Sequence, residues 1–220
     1  MKKIILATCA LALGAIALPA QTIIAHDWQF NTLGDDEGWT ASRAGNLDVR
    51  AAVSGSETVL STVISGSNAD AKLFNPAFTA PANFLNWNTL TYRFRQIDGD
   101  PTVGGTAPKA YDGTANRFDF PGWGFISGDL QTAAASDPDV TFTVEPSGEW
   151  IVFSVDVSSS TNPSIGASNV RLDPISVLGE GFEVDYVTLT ADVVPEPSAI
   201  ALFLGAGALG FAVCRRRRHG

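Results

Sequence analysis

Apolar and polar residues alternate one by one through much of the middle of the chain. Thr89-Leu90-Thr91-Tyr92-Arg93-Phe94-Arg95 puts Leu90, Tyr92 and Phe94 on one face, and Val140 to Val144 and Ile151 to Val157 repeat the pattern. A period of two is the mark of a strand with one buried face. The same reading predicts strands at Leu47 to Val53, Thr58 to Ile64, Arg117 to Ile126, Val170 to Val177 and Phe182 to Thr190. No stretch carries a convincing 3.6-residue period. Turn-forming clusters, "SGSE", "SGSNAD", "DGDPTVGGTAP", "EPSGE", "SSSTNPS" and "GEG", separate the strands. Short strands with polar, Gly-rich connections predict an all-β fold, an antiparallel β-sandwich or jelly roll. Its last strand changes parity: Phe182 and Val184 share one face, Val187 and Leu189 the other. A β-bulge at Asp185-Tyr186 would keep all four in the core.

The two ends follow a different pattern. Lys2-Lys3, an apolar run from Ile4 to Leu18 and the small-residue end Pro19-Ala20 form a secretory signal peptide, with the cut expected after Ala20. Cys9 lies near the start of that run and reads as an ordinary residue of it. At the other end, residues 193–197 carry Pro195-Glu196-Pro197, and residues 198–214 form an apolar segment predicted to be a transmembrane helix. Ser198 to Val213 is 16 residues without a charge, slightly short for a bilayer core of about 30 Å at about 1.5 Å per residue. Arg215, Arg216, Arg217 and Arg218, in the basic tail at 215–220, act as the membrane stop and place that side in the cytoplasm. Lys2-Lys3 places the other terminus there too, so residues 21–192, the β-sandwich domain, lie outside.

Charge and cysteine content narrow the function. Residues 21–197 hold eight basic residues against all 23 acids, a net of about −15, which argues against nucleic acid or anionic lipid as partners. Both cysteines, Cys9 and Cys214, lie in the ends, so the domain has no disulfide. Its one histidine, His26, stands close to the expected N-terminus. A Ser-His or Cys-His triad and a zinc site therefore lack their parts. "GDPTVGGTAP" lacks the lysine of a phosphate loop. Paired carboxylates for glycoside cleavage stay open on sequence alone, although acids in turns are ordinarily solvated. The expectation is a protein without catalysis, with a glycan-active enzyme as a distant alternative.

Binding has better candidates. The domain contains Trp28, Trp39, Trp87, Trp123 and Trp150. Sugars stack their C–H faces on exposed aromatic rings while polar groups bond their hydroxyls. Trp123 in "RFDFPGWGFISGD" is the first candidate, because Pro121, Gly122 and Gly124 point to irregular backbone around it, with Arg117, Asp119 and Asp129 close in sequence. Tyr111 is the second. Equally, Trp123 caps the end of the sandwich core. Trp39 and Trp150 are expected in the core, and Trp87 fits either role. "GDDEG" at Gly34 to Gly38 reads as solvated turns and lacks the spacing of an EF-hand loop.

Two resemblances add to this. "FNTLGDDEGWTAS", "SGEWIVFSVDVS", "VRLDPI" and "GFEVDYVTL" occur in the order seen in galactose-binding-like jelly-roll domains, which include many carbohydrate-binding modules. That resemblance implies a glycan-binding sandwich with no chemistry of its own, frequently holding a structural calcium. The positions matching that calcium site are Asp27, Asn31 and Asp185, and Asn31 stands where relatives carry a glutamate. Val194 to His219 resembles the PEP-CTERM sorting signal of Gram-negative bacteria. That implies an exosortase as partner, a transient stay in the inner membrane, and delivery to the cell surface or extracellular polysaccharide matrix. Two readings follow: a polysaccharide-associated surface protein, or a structural surface protein with no specific ligand.

Overall fold

The computed structural model describes residues 19–42, 46–52, 57–63, 72–98, 107–111, 117–173 and 180–195. The residues of the expected signal peptide before Pro19, Glu196, Pro197, the apolar segment and Arg215 to Arg218 lie outside the described residues. Among the described residues no helix is long and apolar enough to cross a membrane. One compact unit runs from Gln21 to Val193.

In chain order its elements are β1 (Gln21–Trp28), β2 (Thr40–Ser42), β3 (Asn46–Ala51), β4 (Thr58–Val63), β5 (Lys72–Phe74), β6 (Phe78–Thr79), β7 (Phe84–Asp98), β8 (Ala107–Lys109), β9 (Arg117–Phe120), β10 (Gly124–Ser127), α1 (Leu130–Ser136), β11 (Val140–Val144), β12 (Ile151–Asp156), β13 (Ser164–Ile165), β14 (Arg171–Asp173) and β15 (Glu180–Val193). All the pairings are antiparallel, and the strands form a β-sandwich. The larger sheet runs β11-β12-β7-β15-β4-β3; the smaller runs β10-β9-β14-β5-β2; β6 and β13 pair separately. The two longest strands share their outer edges between partners. β15 pairs through Gly181 to Val184 with β4 and through Val187 to Val193 with β1. β7 likewise takes β12 and then β8.

The alternation reads directly as burial. Leu90, Tyr92 and Phe94 of β7, Phe153 and Val155 of β12 and Phe118 of β9 are all buried. Phe118 meets Phe153 across the two sheets, with ring centroids 6.0 Å apart. Burying such a ring contributes about 1.5–3 kcal/mol, so these contacts dominate the stability of a domain without disulfides. The expected bulge is present: Val184 faces Phe94 and Tyr186 faces Arg93, leaving Asp185 as the extra residue. Phe182 and Val184 before it, and Val187 and Leu189 after it, are all fully buried.

Three expectations change. Arg117 to Ile126 is not one strand but the hairpin β9–β10, because Pro121-Gly122-Trp123 reverses the chain. α1 was not expected: Leu130 is its one buried residue, and Asp129 caps it by accepting the Gln131 N–H. Of Val170 to Val177, Arg171 to Asp173 are strand, and 174–177 lie outside the described residues.

Candidate functional site

The β9–β10 hairpin builds the site nearest to the sequence candidates. Phe118 and Phe120 point into the core, so Arg117 and Asp119 face outward. After Phe120 the chain turns tightly: the Trp123 N–H donates to the Phe120 carbonyl at 3.2 Å, and Gly122 takes φ 82°. That conformation favours glycine. Space demands it too, since a Cβ on Gly122 would lie 2.9 Å from Ser160 Oγ. Ser160 is itself fully buried and donates its hydroxyl to the Pro121 carbonyl. The turn that carries Trp123 is therefore fixed from beneath by another loop.

The result is a shallow open groove of about 490 Å³, lined by Arg117, Asp119, Trp123, Phe125 and Asn169 with the turn backbone. Arg117 Nε donates to both oxygens of Asp119 at 2.9 Å. Its guanidinium carbon lies 4.9 Å from the centre of the Phe125 ring, and that ring is 63% exposed. Trp123 is half-buried, edge-on to Phe118 at 5.6 Å. Trp123 thus combines the two roles left open by the sequence: it packs on the core and lines the groove. An open aromatic surface beside a carboxylate, an amide and a guanidinium can accept a sugar ring and bond its hydroxyls.

Trp123, Arg117 and Asp119 are brought together, but Tyr111 is not among the residues lining this groove. Its ring packs between Phe94 and Phe142, at 6.0 and 5.0 Å, and its hydroxyl donates to Asp129 and accepts the Leu130 N–H, both at 3.3 Å. Phe125 and Asn169 were missed. Recognising the hairpin would have put Phe125 outside by parity, whereas Asn169 arrives only because β14 pairs with β9.

The other tryptophans are buried. Trp39 and Trp87 are in the main core, and Trp87 Nε1 donates to the Asn162 carbonyl at 2.8 Å. Trp150 is buried as expected, but in a separate small cluster with Ala52 and Val59. Its neighbour Ile151 takes the core face opposite Phe94, which turns Trp150 to the outer face of the larger sheet. Two guanidiniums cover it, with the Arg93 and Arg95 carbons 4.1 and 4.4 Å from the ring centre. Arg93 donates to both oxygens of Glu145 and to Asp185, each at 2.8 Å. Arg95 pairs with buried Glu183 at 2.6 Å and with Glu149 at 3.2 Å. The bond from Arg93 holds the Glu145 carboxyl below its usual range, against the opposing effect of burial. The two bonds to Glu145, first, and the one to Asp185 raise Arg93 further above its already high value, against the opposing effect of burial.

Of the three positions expected to match a calcium site, Asp185 and Asp27 are otherwise engaged. Asp185 binds Arg93, Asp27 Oδ1 accepts from Gln29 at 2.5 Å and Thr188 at 2.9 Å, and Asn31 is exposed. Among the described residues no three His, Cys, Asp or Glu side chains converge as a metal site. A cation between these positions would share Asp185 with Arg93. The Gly34 to Gly38 segment is held by its own turns, with Asp35 accepting from Glu37 and Asp36 from Gly38.

The fold and groove define an antiparallel β-sandwich with an open aromatic surface patch. The chain carries, at residues 193–218, the PEP-CTERM protein-sorting motif. Among solved structures it is similar to the carbohydrate-binding module TmCBM27, described for specific mannan recognition, at 13% identity and a TM-score of 0.37 over 78% of this chain and 99% of that one. No curated protein matches the chain.

Proposed function

We propose that this is an exported, noncatalytic surface protein, sorted through its C-terminal motif and associating with polysaccharide through the Trp123–Phe125 groove. The sorting motif supports the destination: an exosortase in a Gram-negative bacterium would take the chain after a transient stay in the inner membrane and release it to the surface or matrix. The observation that carries the binding reading is the exposed Phe125 ring and half-buried Trp123 lining one groove with Arg117 and Asp119. A noncatalytic role is favoured by where the deepest carboxylates go. Glu183 and Asp173 each bond an arginine instead of facing one another across a cleft.

The second reading, a structural surface protein without a ligand, is favoured by the packing of Trp123 on Phe118. A glycan array probed with the surface-released chain separates the two. Binding that falls by about 2 kcal/mol, roughly 30-fold, in Trp123→Ala supports the groove, as expected for a central aromatic anchor. Retention on no glycan at all favours the structural reading, and retention that Trp123→Ala leaves unchanged removes the groove from the account.

A further inference from the structure

The last strand is held on both sides to its final residue. Val193 pairs with Gln21 of β1 on one edge and with Phe84 of β7 on the other. One residue earlier, Asp192 ties the same three strands together. Its Oδ1 accepts the Thr22 hydroxyl at 2.6 Å and Asn88 Nδ2 at 3.2 Å, and its Oδ2 accepts Asn88 at 3.2 Å and Asn86 at 3.4 Å. These bonds, Thr22's first, hold the Asp192 carboxyl below its ordinary range and keep it an acceptor. Immediately beyond, the environment changes. Val194 is 45% exposed, and Pro195 has no N–H with which to continue a ladder.

A chain is cut where it can be drawn out extended and unpaired, so a strand flanked on both edges is protected until it opens locally. We propose that the Asp192 clamp is the boundary stop for C-terminal processing: it confines the sorting cut to positions after Val193 and thereby sets the mature C-terminus. The proposal rests on the reading that the motif is cleaved. It adds that the sandwich, through Thr22, Asn86 and Asn88, decides how far into the chain cleavage can reach. β1 starts at Gln21, directly after the expected signal-peptide cut, so the clamp also requires that the N-terminal strand be seated.

The test uses the full chain expressed in a bacterium that possesses the sorting enzyme, with the surface form analysed by intact mass. Wild type should show one C-terminus at or beyond residue 194. Asp192→Ala should give several ends, some of them inside β15, with the longest form reduced several-fold. Thr22→Val, which removes one bond from an exposed position, should give a weaker version of the same spread and covers the case in which Asp192→Ala fails to fold. Amide exchange at 190–193 should quicken in step. A single unchanged end in variants whose 190–193 amides exchange faster overturns the boundary alone, as does unchanged exchange in both variants. A wild-type chain that keeps its tail overturns the sorting reading and the boundary together.

Discussion

Among the described residues, arginine lies over an aromatic ring in two regions. Above Trp150 two guanidiniums stack on one buried ring, and Glu145, Asp185, Glu183 and Glu149 supply carboxylates to both. Above Phe125 a single guanidinium meets a single carboxylate, and most of the ring faces solvent. The components are nearly the same. In the first, charge and ring surface are spent on each other, which makes a brace across β7, β12 and β15. In the second, among the described residues, the terminal nitrogens of Arg117 and one face of Phe125 are not used by the pair itself.

The largest effect should come from breaking the closed region. Glu183→Ala takes from Arg95, 1% exposed, its fully buried carboxylate partner, and removal of one member of a buried pair costs about 3–5 kcal/mol. A urea midpoint should fall accordingly while the protein that remains folded keeps its glycan affinity. Loss of both together would mean that the two regions are coupled.

The open region should yield to a smaller change. Gly122→Ala forces a side chain into φ 82° and against Ser160, a strain of roughly 1–3 kcal/mol. The expected result is a lower melting temperature together with weaker glycan binding, because the turn carries Trp123. Unaltered binding with lowered stability would show that Trp123 does not depend on that turn.

The smallest effect is pH-dependent. Glu145 is ionised more readily in the folded than in the unfolded chain, whose value is 4.5. Its contribution is therefore complete above about pH 4.5 and is lost as pH falls through the lower, folded-state value. Because the pair is partly exposed, that contribution is under about 1 kcal/mol. Glu145→Gln should differ from wild type near neutrality and converge with it in acid, as read from urea midpoints across that range.

The sequence revealed what depends on neighbouring residues and hid what depends on distant ones. The bulge at Asp185 was legible because a change of parity is written within one strand. β11 was legible to the residue, since five alternating positions stand between clear turns. β5, β6 and β13 were not, because two or three residues carry no period and exist only through their partners. Trp150 was rightly expected to be buried, but its face follows from the parity of Ile151, which had to be traced from the core outward. Within the groove, Trp123, Arg117 and Asp119 could be found from the irregular Pro-Gly-Trp-Gly stretch. Phe125 required recognising a reversal, and Asn169 a pairing between strands some fifty residues apart.

The pairing of Gln21 with Val193 makes the sandwich nearly a closed ring. Antiparallel partners stand about 4.5–5.5 Å apart at their Cα atoms, so a short bridge could join the two ends. New termini opened at the exposed Ala82-Asn83 turn would then leave every strand pair in place. The order in which the chain runs through the sandwich is then separable from the pairing of its strands. Such a unit could be lodged within a loop of a larger chain.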